Sequence, residues 1–157
     1  MVTRVVIADD QRLVRAGLRM LCDSTEDIEV VAEASDGAQA VRATAELMPD
    51  VVLMDLRMPG VDGITATEQI RSARADSKIL VLTTFDDDEH LYPALAAGAS
   101  GFLVKDTEPS ELLTAVRRVA AGELVLSAHV LQRLVLRAVD TRGTAGEPVP
   151  LTEREED

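Results

Sequence analysis

Short apolar runs alternate with longer amphipathic stretches along the first 122 residues of this chain. The runs are rich in β-branched residues and cover positions 4–8, 28–34, 51–54, 78–83 and 101–104. Between them, apolar residues recur at helical spacing, as Leu112, Val116 and Val119 do in the last stretch. Nearly continuous apolar strands that alternate with helices predict a parallel sheet covered on both faces. We therefore expect a five-stranded (βα)5 domain of the α/β class over residues 1–122.

The stretch after the first strand predicts a helix with one apolar face. Its members recur at i, i+1 and i+4 spacing: Leu13, Val14, Gly17, Leu18, Leu21 and Cys22. We expect this face to pack on the sheet. Cys22, the one cysteine of the chain, is then a small buried hydrophobe and not a disulfide partner.

A different composition follows Gly122, a glycine typical of a helix C-terminus. We interpret residues 123–150 as a linker that contains an amphipathic helix over 127–139, because the segment 140–150 is rich in glycine, proline and threonine. The last residues, 151–157, read "LTEREED", in which Thr152 and Glu155 have the spacing of a capping box. We expect them to begin a second domain.

Charge and composition narrow the possible functions. The chain of 157 residues has a formal net charge of -12 and a pI near 4.5, so its surface repels the phosphate backbone of nucleic acids. A metal cation or a basic partner suits this field better. No secretory leader and no bilayer-length apolar run occur, which predicts a soluble cytoplasmic protein without a membrane contact.

Polar residues follow the predicted strands where each strand ends. Asp9 and Asp10 follow the first strand, Asp55 the third, Thr83 lies at the end of the fourth, and Lys105 follows the fifth. Taken singly, such an aspartate is more often a helix N-cap and such a threonine a turn residue. Together they predict a site, because ligands of parallel sheets bind outside the carboxyl ends of the strands.

The residue types at these strand ends limit the chemistry. Three neighbouring carboxylates repel one another unless a cation lies among them, and a site with oxygen ligands alone favours Mg²⁺ over zinc. A hydroxyl and an ammonium, from Thr83 and Lys105, suit the oxygens of an anion. A cation, a carboxylate nucleophile, a hydroxyl and an ammonium form a phosphoryl-transfer site, with Asp55 as the nucleophile.

Four motifs in this order, "VVIADDQ", "VVLMDLRMPGVDG", "VLTTFDDDE" and "AGASGFLVKD", resemble the receiver domain of two-component response regulators, specifically the NarL/FixJ group. The resemblance covers residues 4 to about 122 and implies a flavodoxin-like doubly wound fold with strand order 2-1-3-4-5. It also implies an output by DNA binding through a C-terminal helix-turn-helix of the LuxR type. The segment "LTEREED" resembles the opening of such a domain. Residues 151–157 contain no recognition helix, so residues 1–157 are not expected to bind DNA specifically.

The resemblance also implies roles for individual residues. Asp10, Asp55 and the backbone carbonyl of Arg57 would bind Mg²⁺ directly, with Asp9 acting through water. Asp55 would accept a phosphoryl group from the phosphohistidine of a cognate sensor histidine kinase, and Thr83 and Lys105 would bind its oxygens. Thr83 and the aromatic Phe102 would form the conformational switch. Phosphorylated receivers of this group commonly form homodimers.

Pro93 falls inside the stretch that the family makes its fourth helix. A proline inside a helix costs about 3 kcal/mol, so we expect this helix to be kinked, late-starting or partly unwound.

Two other functions remain as alternatives to a transcriptional response regulator, which is a signalling switch and not an enzyme. A stand-alone receiver that signals by protein contacts fits residues 1–122 but leaves the linker unexplained. A Mg²⁺-dependent phosphatase with an aspartyl nucleophile ranks lower, because such enzymes carry a D-x-D pair and Asp55 is followed by Leu56 and Arg57.

Overall fold

The computed structural model describes residues 2–73, 76–84 and 88–145. The chain divides into two compact units, Met1–Ser127 and Ala128–Asp157. Strands and helices alternate in the first unit, in this order: β1 (Thr3–Ala8), α1 (Arg12–Asp23), β2 (Ile28–Ala34), α2 (Gly37–Leu47), β3 (Val51–Asp55), α3 (Gly63–Ala73), β4 (Lys78–Thr83), a 3₁₀ turn (Asp88–His90), α4 (Leu91–Ala96), β5 (Gly101–Val104), α5 (Pro109–Ala120) and β6 (Val125–Leu126).

The strands form one parallel sheet in the order β2-β1-β3-β4-β5-β6. The α/β class, the parallel sheet and the order of the first five strands are therefore confirmed. The predicted number of strands is wrong, because a sixth strand, β6, pairs with β5 at the edge of the sheet. The sheet-containing unit consequently runs to Ser127, beyond the predicted boundary at residue 122.

Strand β6 is held by its neighbours and not by a sequence pattern of its own. The N–H groups of Val125 and Ser127 donate to the carbonyls of Ser100 and Phe102, both at 3.1 Å. Gly101 makes the approach possible, since a Cβ there would lie 3.0 Å from the carbonyl oxygen of Val125. Two residues are too few for an alternation to be recognised, which explains why the sequence analysis assigned them to a linker.

Helix α1 presents only part of its predicted apolar face to the core. Cys22 is fully buried, as expected, and this burial raises the pKa of its thiol to about 11. Leu18 and Leu21 pack against the same cluster. Leu13 is 85% exposed, so the prediction that it faces the sheet is wrong. The i, i+1, i+4 pattern defined a stripe wider than the surface that the sheet covers.

Helix α4 starts late, which is one of the three alternatives predicted from Pro93. Its α-helical hydrogen bonding begins at Leu91, after the 3₁₀ turn Asp88–His90. Pro93 then falls in the first turn, where a missing N–H disrupts no intrahelical bond. Pro109 likewise occupies the first position of α5.

The second unit contains helix α6 (Ala128–Ala145). The sequence pattern predicts a helix over 127–139, and the observed helix continues into the glycine-containing segment because no proline lies between residue 128 and Pro148. Residues 146–157, which include the predicted start of a second domain, lie outside the described residues. In the part of the chain that the structure describes, no helix is long and apolar enough to cross a membrane.

Candidate functional site

Three carboxylates meet at the carboxyl edge of the sheet. Strands β1 and β3 are neighbours, and Ala8 lies opposite Met54. The next residue along each chain segment, Asp9 after Ala8 and Asp55 after Met54, therefore comes side by side with the other. Carboxylate oxygens of Asp9, Asp10 and Asp55 all lie within 4.8 Å of one another. The register of two parallel strands thus brings together acids that are more than 40 positions apart in the sequence.

Lys105 reaches this cluster from the other side. It follows β5, whose Val104 pairs with Thr83 of β4, and its own N–H donates to the Thr83 carbonyl at 2.8 Å. The Lys105 Nζ lies 3.1 Å from Asp9 Oδ2 and 3.4 Å from Asp55 Oδ1. One ammonium therefore serves two carboxylates, which places Lys105 where the sequence analysis expected it.

Burial controls the electrostatics of the cluster. Asp9 is 1% exposed and Asp55 is 7% exposed, so water stabilises their charges poorly. Burial, together with repulsion from Asp9 and against the attraction of Lys105, raises the pKa of Asp55 to about 6. Burial alone would lower the pKa of Lys105, but the charges of Asp55 and Asp9 outweigh it and raise that pKa.

The cluster fits a divalent cation. The buried Oδ2 of Asp9 accepts no hydrogen bond from a described residue, although the Lys105 ammonium lies 3.1 Å from it as an ion pair. A buried carboxylate oxygen in that state is costly unless a further cation neutralises it. Among the residues that the structure describes, this cluster combines three carboxylates with the one ammonium of Lys105 and contains no histidine or cysteine. Such a donor set suits a hard cation like Mg²⁺.

A cavity of about 290 Å³ opens beside the cluster, lined by Asp10, Gln11, Asp55, Arg57, Thr84 and Lys105. Gln11 and Thr84 are lining residues to which no motif assigns a role, although they directly follow Asp10 and Thr83 in the sequence. The Arg57 N–H donates to Asp55 Oδ1 at 3.4 Å. The assignment of the Arg57 carbonyl as a metal ligand stays a prediction.

Glycines shape the loop that follows Asp55. A Cβ on Gly63 would lie 2.3 Å from the Asp55 carbonyl oxygen and 2.7 Å from the Leu56 Cα, so only glycine fits there. Its N–H donates to the Leu56 carbonyl at 3.0 Å. Gly60 has a φ of 70°, a conformation that glycine adopts without strain. The loop thus folds back tightly on the end of β3 and fixes the backbone that carries Asp55.

The two predicted switch residues lie close in the sheet but outside the acidic cluster. Thr83 is 3% exposed, and its hydroxyl donates to the Thr84 carbonyl at 3.4 Å. It stands at the end of β4, next to the end of β3, because Leu82 pairs with Asp55. Phe102 on β5 is fully buried in the core. The positions agree with the predicted roles, which stay predictions.

Comparisons with known proteins agree with one another. Residues 5–117 match the response regulator receiver domain family. Among curated relatives, the transcriptional regulatory protein LiaR of Bacillus subtilis is 43% identical over 152 residues, covering 97% of this chain and 72% of LiaR. The oxygen regulatory protein NreC of Staphylococcus epidermidis is 42% identical over 142 residues, covering 90% of this chain and 65% of NreC.

Solved structures show the same fold. A LuxR-family two-component response regulator from Aurantimonas superposes with a TM-score of 0.82 at 36% identity, covering 88% of this chain and 99% of that one. The receiver domain of the response regulator NarL from Mycobacterium tuberculosis superposes with a TM-score of 0.74 at 38% identity, covering 78% of this chain and 98% of that one. The family match, the relatives and the acidic cluster lead to one conclusion: this chain belongs to the response regulator receiver family, as a two-component response regulator of the NarL/LuxR group.

Proposed function

We propose that this chain is a phosphorylation-controlled switch in which Asp55 accepts a phosphoryl group in a Mg²⁺-dependent reaction. The observation that carries the proposal is the surrounding of the Asp55 carboxylate. It is buried, lies within 4.8 Å of two further carboxylates and 3.4 Å from the Lys105 ammonium, and borders an open cavity of about 290 Å³. A nucleophile, a cation site and a binding group for an anion are thus combined beside room for a phosphoryl group.

In the proposed reaction, a carboxylate oxygen of Asp55 forms a bond to phosphorus while the P–N bond of a phosphohistidine breaks. The leaving imidazole of the kinase keeps the electron pair of that bond. Lys105, already 3.4 Å from Asp55, would bind an oxygen of the transferred group, with the Thr83 hydroxyl as a second donor. A Mg²⁺ ion held by Asp10, Asp55 and the Arg57 carbonyl, with Asp9 acting through water, would neutralise charge on the phosphoryl oxygens.

The switch follows from the added charge. A phosphoryl group brings about two negative charges and three strong acceptor oxygens to the end of β3. The Thr83 hydroxyl now donates to the Thr84 carbonyl at 3.4 Å. It would turn toward the phosphoryl group, because the charged oxygens of that group are stronger acceptors than a backbone carbonyl. The buried Phe102 on the adjacent strand would then repack. The surface of α4, β5 and α5 would change with it.

The partners follow from the same proposal. The donor is a cognate sensor histidine kinase, and the phosphorylated form becomes a homodimer. A solved structure of the related RcsB, similar at a TM-score of 0.77 and 28% identity, contains two RcsB dimers bound to two parallel DNAs. DNA binding and transcriptional control in the present protein would require a complete C-terminal helix-turn-helix domain, of which residues 151–157 resemble only the opening. A kinase that uses ATP would act on this protein in the cytoplasm.

Intact-mass spectrometry after incubation with a small-molecule phosphodonor tests the proposal. We expect a single phosphoryl adduct that requires Mg²⁺ and disappears in Asp55→Asn. Asp36→Asn is the matched control: Asp36 follows β2 at the same edge and caps α2 by accepting from the Gln39 N–H at 2.8 Å, a role that asparagine fills equally well. Its adduct should equal that of the wild type.

Two results would contradict the proposal. An adduct that persists in Asp55→Asn would place the acceptor elsewhere. Continuous release of free phosphate over many turnovers, without a lasting adduct, would make the protein a phosphatase and not a stoichiometric switch.

A further inference from the structure

Arg15, in the first turn of α1, makes a contact at the site that no motif predicts. Its Nη1 donates to the backbone carbonyl of Asp9 at 2.7 Å, and its Nε donates to Glu33 Oε1 of β2 at 3.3 Å. The side chain is 15% exposed, which is low for an arginine. Arg15 is therefore a brace between two strands at the carboxyl edge of the sheet.

The carbonyl that Arg15 binds belongs to the peptide joining Asp9 to Asp10. That peptide is planar, so fixing its oxygen also fixes the direction in which the chain leaves toward Asp10. Two further polar atoms of Asp9 have other partners: its N–H donates to the Ala34 carbonyl at 3.0 Å, and its Oδ1 accepts from the Gln11 N–H at 2.9 Å. Arg15 completes a set of contacts that immobilises this turn.

Asp10 depends on its backbone for its position. Its side chain is exposed, and no residue within 2–73, 76–84 or 88–145 donates a hydrogen bond to its carboxylate or pairs with it. Nothing in the described part of the chain except the backbone thus aims the carboxylate at Asp9 and Asp55. A brace on the preceding peptide is then the means by which the third carboxylate stays within 4.8 Å of the other two.

We infer that Arg15 is a positioning residue for the metal site, which aims the Asp10 carboxylate by holding the Asp9–Asp10 peptide. This inference rests on the proposed function, because it assumes that the acidic cluster binds Mg²⁺. The charge of Arg15 acts in the opposite direction, since a guanidinium near the cluster repels a divalent cation. Removing Arg15 should therefore strengthen Mg²⁺ binding if only charge mattered and weaken it if positioning dominates.

Arg19 provides a matched control. It also binds Glu33, through Oε2 at 2.5 Å, and it carries the same charge on the same helix. Its contacts do not include the Asp9 carbonyl, and its side chain is 41% exposed. Arg19→Met thus removes one positive charge and one contact with Glu33 while leaving the brace in place.

The experiment is a Mg²⁺ titration of wild type, Arg15→Met, Arg15→Gln and Arg19→Met, in which backbone amide NMR spectra report binding. Urea unfolding of each protein measures its stability separately. We expect both Arg15 variants to bind Mg²⁺ about tenfold more weakly, in the range for residues that orient metal ligands. Arg19→Met should bind within about twofold of the wild type. Without metal, the Asp10 amide resonance should move in the Arg15 variants only, because its carbonyl neighbour loses a hydrogen bond.

Unchanged or tighter Mg²⁺ binding in a folded Arg15 variant overturns the inference, whatever its stability. An equal loss in Arg19→Met overturns it as well, since the effect would then belong to Glu33 or to charge. Should Arg15→Met not fold, Arg15→Gln decides by the same criteria. A wild type that binds no Mg²⁺ contradicts the proposed function instead, and in that case the Asp10 resonance alone decides whether Arg15 orients the peptide.

Discussion

The amino and carboxyl edges of the sheet, where the parallel strands begin and end, are both rich in polar groups but differ in how those groups are paired. At the amino edge, the Arg4 guanidinium donates to the carbonyls of Leu47 and Met48 at 2.6 and 3.2 Å, and the Arg4 N–H donates to Asp50 Oδ2 at 2.8 Å. The Ser77 hydroxyl donates to the Pro49 carbonyl at 2.7 Å. Donors and acceptors match there, so the amino edge contributes to stability.

The carboxyl edge is arranged in the opposite way. Of the three carboxylates, only those of Asp9 and Asp55 share the ammonium of Lys105 among the described residues. The pKa of Asp55 is raised, and Asp9 Oδ2 is buried without a hydrogen bond from a described residue. This edge reduces stability in the absence of a ligand and is suited to bind a cation. Unmatched charge, and not polarity itself, therefore distinguishes the functional edge from the structural one.

Neutralising Asp55 should give the largest effect. Its pKa rises from 3.8 to about 6 on folding, so ionised Asp55 opposes folding and the penalty grows as pH rises through that window. Asp55→Asn in metal-free buffer should therefore raise the free energy of unfolding by about 3 kcal/mol at pH 7.5 and by roughly half as much at pH 5. Urea unfolding at both pH values measures this. A gain that is independent of pH, or a loss, would contradict the described charge repulsion.

Adding a cation should stabilise the same edge without a mutation. A ligand that binds only the folded state at one hundred times its Kd stabilises by about 2.7 kcal/mol. We expect Mg²⁺ to raise the melting temperature of the wild type and to have little effect on Asp55→Asn. Asp50→Asn, altered at the amino edge, should keep the full response to Mg²⁺. Equal responses in all three proteins would show that the ion acts nonspecifically.

Breaking a matched pair at the amino edge should be destabilising. Ser77 is 1% exposed, and Ser77→Ala leaves the Pro49 carbonyl without this donor. The expected loss is about 1–2 kcal/mol in the free energy of unfolding, with unchanged Mg²⁺ affinity. Thermal and urea unfolding measure the first quantity and a Mg²⁺ titration the second. Weakened Mg²⁺ binding would mean that the two edges are coupled.

The smallest effect concerns the strained residue at the amino edge. Met48 ends α2 with a φ of 51°, the left-handed region that glycine adopts most readily. Met48→Gly should stabilise the protein by about 0.5–1 kcal/mol without changing Mg²⁺ affinity. Met48→Ala keeps the strain and serves as the control, which separates backbone relief from the loss of a half-exposed side chain. Equal stability of the two variants would contradict the strain.

Much of the fold followed from local patterns. Strands β1 to β5 were predictable because buried parallel strands are short, apolar and β-branched. Pro93 predicted an irregular fourth helix, but the choice of a late start over a kink or partial unwinding came from the structure. The acids and Lys105 of the candidate site were predictable for a related reason. Polar residues at the ends of apolar runs must meet at one edge once the strands are parallel.

Features that depend on contacts between distant segments could not be predicted from the sequence. Strand β6 exists because Gly101 leaves room beside β5, and no pattern within two residues announces that. Leu13 points outward because the sheet covers less of α1 than its apolar pattern suggested. The bond from Arg15 to the Asp9 carbonyl ends on a backbone atom, for which residue types give no signal. Sequence by itself determined which chemistry collects at the carboxyl edge, whereas packing and register decided which of its charges are buried, shared and left unmatched.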